Sequence, residues 1–289
     1  MDERAALRLL AADLAEAGDD AAVIDDLVVT IDMLHEATDF PAGTTHYTAG
    51  WRAVGASLSD IAAMGAAPTG AVAVYAVPAF VPDKLTGFIR GAREVCALVD
   101  TAYVGGDLDH HDEFTVVSAA VGRAAEPVYR RGAVPGDVVC VTGTLGRTAA
   151  ALERFDRGEA AAGNALFRFE PRVEAGLALA GHATAMMDSS DGLARSLHQL
   201  AEASHCGFAI ETARVPLHEG LRSITPDRAT ALDRGLFVGE DFELVVTLPA
   251  AGVEVADTAC PIDLTVIGEV TDGDVELDGK PLEDRGYTH

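Results

Sequence analysis

Residues 49–65, AGWRAVGASLSDIAAMG, carry the strongest structural signal in the chain. Val54, Leu58 and Ile61 recur at helical spacing, and small residues fill most of the other positions. A helix of this composition is expected to pack closely against neighbours on both sides. The segment therefore predicts a helix packed on both sides, which Gly65 and Pro68 are expected to end.

Asp60 lies inside this segment, in a run from Val54 to Ala67 that is otherwise uncharged. A buried carboxylate costs several kcal/mol of free energy unless it is paired or bound to a cation. Basic partners are scarce in this sequence, and hard, oxygen-ligated cations are the natural alternative. Asp60 is therefore a candidate metal ligand, and a polar contact at a helix end is the competing interpretation.

Alternating strands and helices flank the central helix. In the N-terminal half the patterns predict a helix at 3–17, two short strands within 21–32, strands at 70–77 and 113–122, and a helix at 83–99. In the C-terminal half they predict strands at 138–142, 184–187, 207–211, 243–248 and 264–270, helices at 147–156, 171–180 and 191–204, and a closing hairpin through Asp272-Gly273.

The stretch GAVPGD, residues 132–137, is rich in Gly and Pro and is the best candidate for a domain boundary. Strands and helices alternate on both sides of it. We therefore expect an α/β (α+β) protein with two domains, 1–134 and 135–289.

The composition is strongly acidic, since 46 Asp and Glu residues against 21 Lys and Arg residues give a formal net charge of −25. Such a surface repels nucleic acid and anionic membranes, so we expect neither as a partner. Lys84 and Lys280 are the only lysines. This pattern is typical of proteins from a high-salt cytoplasm, although a merely acidic protein is the alternative.

Cysteine usage and hydropathy indicate the compartment. The four cysteines are far apart in the sequence, and no signal-peptide pattern is present, so reduced thiols are expected. No apolar run reaches the roughly 20 residues of a membrane-spanning helix. We therefore expect a cytoplasmic protein.

The usual phosphate-binding motifs are absent from the sequence. Gly279-Lys280 is followed by Pro281 rather than Ser or Thr, so it is not a P-loop, and neither G-x-G-x-x-G nor the protein-kinase motifs occur. Instead, acidic residues stand beside Gly at four predicted turns: Gly18-Asp19-Asp20, Gly105-Gly106-Asp107, Asp188-Ser189-Ser190-Asp191-Gly192 and Gly239-Glu240-Asp241. Each pair alone is typical of an ordinary turn. Because several have apolar flanks and lysine is nearly absent, the set indicates acids that bind cations.

Seven segments together resemble the thiamine-monophosphate kinase family, in the superfamily that includes aminoimidazole ribonucleotide synthetase. They occur in the family's order and cover nearly the whole chain. The matching segments are GDDAA (18–22), TIDML (30–34), LSDIAAMGAAP (58–68), GGDLD (105–109), RGAVPGDVVCVTGTLG (131–146), MDSSDGLA (187–194) and GEDFEL (239–244). The most specific are LSDIAAMGA and GEDFEL.

The resemblance implies Mg²⁺-dependent transfer of the ATP γ-phosphoryl group to thiamine monophosphate. It implies several Mg²⁺ ions held by Asp20, Thr30, Asp32, Asp60, Asp107, Asp188 and Asp191. It implies nucleotide contacts from Gly106, Asp107, Arg130 and Ser190, and contacts to thiamine monophosphate from Glu240 and Tyr287. It also implies a two-domain synthetase-like fold, and a homodimer built through the sheets of the N-terminal domains.

The sequence departs from the family pattern at Asp39, where bacterial members commonly have a histidine that touches the substrate. We assign no role to Asp39 at this stage. Two alternatives stay open: another ATP-using member of the superfamily with a different acceptor, and a non-catalytic nucleotide- or metal-binding homologue. The intact run of aspartates argues against the second, because a sensor could have lost several of them.

Overall fold

The computed structural model of the 289-residue chain describes residue 14 and residues 18–287. The predicted helix at 3–17 therefore falls, apart from Leu14, outside the described residues. Two mixed β-sheets, each covered by helices, organise the rest of the chain. No helix in the described part is both long and apolar enough to cross a membrane.

The N-terminal sheet has five strands in the order β1-β2-β5-β3-β4. Their bounds are Ala22–Ile24 (β1), Leu27–His35 (β2), Ala67–Val77 (β3), Tyr103–His110 (β4) and Thr115–Arg123 (β5). β3 and β4 are parallel, and the other neighbouring pairs are antiparallel. The parallel pair needs a crossover, which is supplied by a helix.

Three helices belong to this half: Glu36–Asp39 (α1), His46–Ala63 (α2) and Pro82–Leu98 (α3). α2 is the helix predicted from the central segment, and almost all of its residues are buried. It packs against α3 through Gly50 and Gly91. A Cβ at Gly50 would lie 2.2 Å from the Phe88 carbonyl oxygen, and one at Gly91 would lie 2.0 Å from that of Tyr47. Only glycine permits this contact, as the small-residue pattern predicted.

The C-terminal sheet has seven strands in the order β12-β11-β8-β10-β6-β9-β7. Their bounds are Asp137–Thr142 (β6), Ala185–Asp188 (β7), Gly207–Ile210 (β8), Leu244–Pro249 (β9), Leu264–Thr271 (β10), Val275–Leu277 (β11) and Lys280–Pro281 (β12). The helices of this half are Arg147–Asp156 (α4), Ala160–Phe167 (α5), Val173–Leu179 (α6), Leu193–Ser204 (α7), Glu219–Ile224 (α8), Arg228–Phe237 (α9) and Val253–Ala259 (α10).

The hydrophobic core does not separate cleanly at the Gly- and Pro-rich stretch. One cluster joins α2 and β3 residues to Phe155 and Phe167 of the C-terminal half. Another joins Ala62 and Ala63 at the end of α2 to Leu179 and other residues of the C-terminal half. α2 is therefore the structural bridge between the two sheets, and its last turn brings Asp60 to their junction.

Two sequence-based expectations are wrong. Gly105-Gly106-Asp107 is not a turn but the middle of β4, where a Cβ at Gly106 would lie 1.8 Å from the Ala73 carbonyl oxygen. The glycine is needed for this close approach rather than for chain reversal. The hairpin through Asp272-Gly273 is also absent, because β8 lies between β10 and β11. The tight turn instead joins β11 to β12 at Asp278-Gly279, where both φ values are positive, as a two-residue hairpin turn requires.

Candidate active site

Three aspartates from distant parts of the chain meet at the junction of the two sheets. Asp20 precedes β1, Asp60 lies in the last turn of α2, and Asp188 ends β7. One carboxylate oxygen of each lies within 4.8 Å of the others. We call these three residues the aspartate cluster. As whole residues Asp20 and Asp60 are partly exposed, but the Asp20 side chain is only 1% exposed and Asp188 is fully buried, so the carboxylates are largely shielded from solvent.

Hydroxyl groups and one guanidinium hold the carboxylates in place. Thr30 Oγ1 donates to Asp60 Oδ2 at 2.5 Å, and Ser59 Oγ donates to Asp188 Oδ2 at 2.6 Å. Arg130 makes a bidentate pair with Asp20, with Nε at 3.1 Å from Oδ2 and a terminal nitrogen at 2.8 Å from Oδ1. Arg130, predicted as a nucleotide contact, is thus a partner of a predicted metal ligand in this structure.

The electrostatics of the cluster are unfavourable when no cation is present. Burial, followed by the charges of Asp32, Asp188 and Asp20, raises the pKa of Asp60 well above its usual range. Burial and then the Asp20 charge raise the pKa of Asp188 to about 7. Burial is the largest influence and would lower the pKa of Arg130, but the charge and hydrogen bonds of Asp20 together with the charges of Asp188 and Asp19 outweigh it, and the pKa is raised. A divalent cation would relieve this repulsion between carboxylates.

The residues of the cluster fit a magnesium ion. Mg²⁺ prefers carboxylate oxygens and is usually bound by one or two of them together with substrate phosphates. Asp188 Oδ1 is buried and has no hydrogen-bond partner among the described residues, so an acceptor is left for another ligand. The cluster therefore offers hard oxygen donors, excess negative charge and one unsatisfied buried oxygen.

Thr30, Asp32 and Asp191, which were also predicted as metal ligands, lie near the cluster. Asp32 on β2 accepts a hydrogen bond from Ser57 Oγ at 2.6 Å, and its charge acts on both Asp60 and Asp188. Asp191 lies on the loop after Asp188, where its backbone carbonyl accepts the Tyr287 N–H at 3.0 Å. The structure thus places Thr30 and Asp32 beside the cluster and Asp191 on the same loop as Asp188.

Asp107 is not brought to the aspartate cluster. The strand register aligns Asp107 with Met33 across the sheet, and Asp32 stands one position away from Met33. Neighbouring positions on a strand point to opposite faces of a sheet. Asp32 faces α2, where it bonds to Ser57, so Asp107 belongs to the opposite face, on which Met33 is 51% exposed.

Gly106 and Asp107 border an apolar cavity of about 210 Å³ between β4 and α3. Its walls include the aromatic side chains of Tyr75, Phe88 and Tyr103. A cavity of this composition suits a flat, apolar group, and the backbone of β4 beside it adds polar contacts. The predicted nucleotide contacts Gly106 and Asp107 therefore lie in one place, apart from Arg130 and Ser190.

The two predicted substrate contacts, Glu240 and Tyr287, line a second cavity, which we call the Glu240 cavity. It encloses about 250 Å³ and is lined by residues 37–42, Thr148, Leu152, residues 238–240 and Tyr287. The loop that follows Asp188 is tied to it, because the Ser190 carbonyl accepts the Glu240 N–H at 2.5 Å. Ser190 therefore links the cavity to the aspartate cluster through its backbone.

Arg52 is a residue of this site that the sequence did not reveal. It lies on α2, is 2% exposed, and holds Glu240 Oε2 at 3.0 Å. Its guanidinium also stacks 3.6 Å from the centre of the Phe167 ring. Burial, offset in part by the Glu240 charge, lowers the pKa of Arg52. The only signal was an arginine placed in a run of small residues.

Asp241 and Glu243, next to Glu240, hold the fold together. Asp241 caps the start of α4 by accepting the N–H groups of Gly146 at 2.5 Å and Thr148 at 2.9 Å. Glu243 makes a bidentate pair with Arg172 at 2.6 and 2.8 Å. The sequence showed an acidic motif here, but it could not separate the residue that lines the cavity from the two that do not.

Comparisons with known proteins show the family to which the chain is similar. The family described as AIR synthase related protein, N-terminal domain, matches residues 18–124, and the corresponding C-terminal domain matches residues 134–280. A thiamine-monophosphate kinase of Halobacterium salinarum is 57% identical over 292 residues, covering all of both chains. One of Methanospirillum hungatei is 42% identical, covering 91% of this chain and 88% of the relative.

The fold is similar to that of solved structures. The structure described as "AaThiL complexed with AMPPCP and TMP" has a TM-score of 0.89 and 28% identity, over all of this chain and 97% of that one. A thiamine monophosphate kinase from Aquifex aeolicus has a TM-score of 0.86 and 27% identity, over 97% of both chains. The two-domain synthetase-like fold predicted from the sequence is thereby confirmed, and the chain belongs to the thiamine-monophosphate kinase family.

Proposed function

We propose that this protein transfers the γ-phosphoryl group of ATP to thiamine monophosphate, giving thiamine diphosphate and ADP. The observation that carries the proposal is the aspartate cluster, Asp20, Asp60 and Asp188, with one unsatisfied buried oxygen on Asp188. Three carboxylates this close together need cations, and polyphosphate chemistry supplies the most common reason to hold them. The family relatives named above carry the same function in their names.

We assign Mg²⁺ to the aspartate cluster, with Thr30, Asp32 and Asp191 as further ligands or as residues that orient the ligands. When bound there, the ions would screen the negative charge of two phosphate groups and polarise the group being transferred. Arg130 fixes the Asp20 carboxylate through two hydrogen bonds. Thr30 and Ser59 fix one oxygen each of Asp60 and Asp188.

The remaining residues bind and orient the two substrates. We place thiamine monophosphate in the Glu240 cavity, against Glu240 and Tyr287, and the adenine base in the apolar cavity beside Gly106 and Asp107. The attacking phosphate oxygen of thiamine monophosphate is already an anion near neutral pH, so no side chain has to remove a proton from it. Catalysis then depends on positioning and electrostatics, as in other phosphoryl transfers.

We further propose a homodimer formed through the outer face of the N-terminal sheet. That face exposes Ile24, Ile31, Met33 and Val72, which are 39 to 72% exposed. An apolar surface of this kind is typical of an interaction site. Asp107 lies on the same face, so we infer that Asp107, with the apolar cavity beside it, serves ATP bound at the partner's aspartate cluster rather than at its own.

The domain assignment, 1–134 and 135–289, and a cytoplasmic, high-salt setting are part of the same proposal. The two family matches end at residue 124 and begin at residue 134, which is close to the predicted boundary. The net charge of −25 supports the high-salt setting, because dense carboxylates maintain solubility.

The direct test is an ADP-release assay. The purified protein is incubated with ATP, Mg²⁺ and thiamine monophosphate, and the product is identified by chromatography. We expect ADP and thiamine diphosphate in equal amounts, and no turnover after Mg²⁺ is removed with a chelator. Thiamine and inorganic phosphate serve as control acceptors. ADP release that does not depend on thiamine monophosphate would reject the acceptor, and an absence of ADP would favour a non-catalytic homologue.

The role of Asp107 across the dimer is tested by mixing two inactive variants, Asp107→Asn and Asp188→Asn. If the two residues come from different chains, random reassociation leaves about a quarter of the sites intact, because half of the dimers are mixed and each has one complete site. We expect about a quarter of the wild-type activity after mixing and refolding together. No recovery, from variants that do form mixed dimers, would place Asp107 in the site of its own chain.

A further inference from the structure

The Glu240 cavity has an unusual charge for a site that receives a phosphate ester. Its walls include the carboxylates of Asp39 and Glu240, and no lysine, arginine or histidine is among the described residues that line it. The rest of the lining is aromatic, aliphatic or small, including Phe40 and Tyr287. Such a cavity repels phosphate and attracts an organic cation.

Asp39 is held firmly at this position. It is 4% exposed, and its Oδ2 accepts the His35 N–H at 2.6 Å and the Thr38 hydroxyl at 2.8 Å. Its Oδ1 accepts the Tyr287 hydroxyl at 3.1 Å. These bonds fix the carboxylate against the wall of the cavity, so its charge acts on a ligand from a defined point.

Glu240 contributes less net charge to the cavity, because Arg52 pairs with it at 3.0 Å, and the Arg52 charge acts more weakly on Asp39. Arg52 lies behind Glu240, buried against Phe167, and is not part of the cavity wall. The Asp39 carboxylate therefore supplies much of the remaining negative charge, with the Tyr287 hydroxyl oxygen 3.1 Å from its Oδ1.

The structure assigns to Asp39 the recognition of positive charge in the acceptor: we propose that it binds the thiazolium ring of thiamine monophosphate and thereby selects a cationic substrate. This inference rests on the proposed function and extends it to a residue at which the sequence departs from the bacterial pattern. Phe40 and Tyr287 add aromatic faces, which are favourable next to a cation.

The same charge distribution orients the substrate. The phosphate end is repelled from Asp39 and Glu240, and the Mg²⁺ ions proposed at the aspartate cluster would attract it. The backbone connects the two places, because the Asp191 carbonyl accepts the Tyr287 N–H and the Ser190 carbonyl accepts the Glu240 N–H. A ring held by Asp39 therefore leaves the phosphate pointing toward the loop that carries Asp188.

The experiment compares two ligands and three proteins by equilibrium binding and by steady-state kinetics. The ligands are thiamine monophosphate and an analogue in which an uncharged thiophene ring replaces the thiazolium. The proteins are the wild type, Asp39→Asn and the control Glu36→Gln. Glu36 lies on the same short helix and loses the same charge in the control, but it lines a neighbouring cavity and not the Glu240 cavity.

We expect the wild type to bind the cationic ligand at least about tenfold more tightly than the neutral one, the size expected for a unit charge about 5 Å away in a partly solvated cavity. Asp39→Asn should lose most of this preference, with a raised KM for thiamine monophosphate and an unchanged KM for ATP. Glu36→Gln should keep the preference. Because a fixed contact is screened less than a distant charge, the preference should persist at high salt.

Equal binding of the two ligands by the wild type would overturn the proposal, even if Asp39→Asn failed to fold. An undiminished preference in a folded Asp39→Asn protein would overturn it as well. Either result, obtained while thiamine monophosphate is still phosphorylated, leaves the proposed function intact. A wild type that neither binds nor phosphorylates thiamine monophosphate would instead reject the proposed function, and this inference with it.

Discussion

Two groups of carboxylates look alike in the sequence but differ in the folded chain. The aspartate cluster gathers three acids from distant segments, and Arg130 is paired with only one of them, Asp20. The GEDFEL segment places three acids almost side by side, and each contacts a positive group or backbone N–H groups. Glu240 meets Arg52, Asp241 caps α4 and Glu243 meets Arg172.

This contrast distinguishes acids that are suited to bind a ligand from acids that stabilise the fold. In the cluster, mutual repulsion and burial raise the pKa values of Asp60 and Asp188, so the ligand-free state is under electrostatic strain. In the GEDFEL segment each acid has a cationic or backbone N–H partner from the chain itself, although burial still raises the pKa of Asp241 to about 7. We therefore expect substitutions in the cluster to affect activity most, and substitutions in the Glu243 pair to affect stability most.

The largest effect is expected from Asp188→Asn. The amide keeps the size of the side chain but removes the charge that holds a cation, so turnover should fall by about a thousandfold. ADP release measures the loss, and circular dichroism confirms that the fold is intact. Asp26→Asn, the same chemical change at an exposed position, is the control. An Asp188→Asn protein with normal, magnesium-dependent turnover would contradict the role of the cluster in binding catalytic cations.

The next effect is on stability, from Arg172→Met. The substitution leaves Glu243 buried, with the carboxylate 4% exposed, and without its guanidinium. Breaking a buried pair from one side costs about 3–5 kcal/mol. Urea denaturation of the chelator-treated protein measures the free energy of unfolding. The double variant Arg172→Met, Glu243→Leu should recover much of the loss. A loss below about 1 kcal/mol in the single variant would show that the pair is not structural.

A smaller effect is expected from pH in the absence of magnesium. The pKa of Asp188 is about 7 in the fold, above its value in the unfolded chain, so the native state binds the extra proton between the two values. Stability from this group is therefore present at low pH and is lost as pH rises through about 7. The difference in the free energy of unfolding between the wild type and Asp188→Asn should change by on the order of 2 kcal/mol between pH 5 and pH 8.

Thermal unfolding in a chelator measures this pH effect, and magnesium is the control. With saturating Mg²⁺, the carboxylate charge is favourable and the wild type should no longer lose stability, relative to the variant, as pH rises. A wild type that gains stability relative to Asp188→Asn on going from pH 5 to pH 8 in a chelator would contradict the strain assigned to the cluster.

The smallest effect is expected at the exposed pair Arg123–Asp26. The two charged groups are 2.6 Å apart, as close as those of Arg172 and Glu243, but both side chains are 56% exposed. Solvent and salt screen such a pair. Asp26→Asn should therefore change the melting temperature by less than about 1 °C. A larger shift would mean that burial is not what distinguishes the pairs.

The family, the order of most strands and helices, and the set of candidate acidic ligands follow from local sequence patterns alone. The helical spacing of Val54, Leu58 and Ile61 and the isolated charge of Asp60 depend only on neighbours in the chain. These signals are local, and local patterns follow directly from backbone periodicity. The helices α1, α5, α8, α9 and α10 were missed, because their short segments show weak periodicity.

Which acids lie close together depends on the tertiary structure. Asp20, Asp60 and Asp188 are brought together by the packing of α2 between two sheets, which no local pattern encodes. Because of the register of β4, Asp107 lies on the face of the sheet opposite α2. In the sequence, its Gly-Gly-Asp motif resembled the motifs that contain the cluster aspartates. Arg52 and Asp39 gained their roles from burial beside Glu240 and Tyr287. The energy of a charge depends on its surroundings in space, and these exist only after the chain has folded.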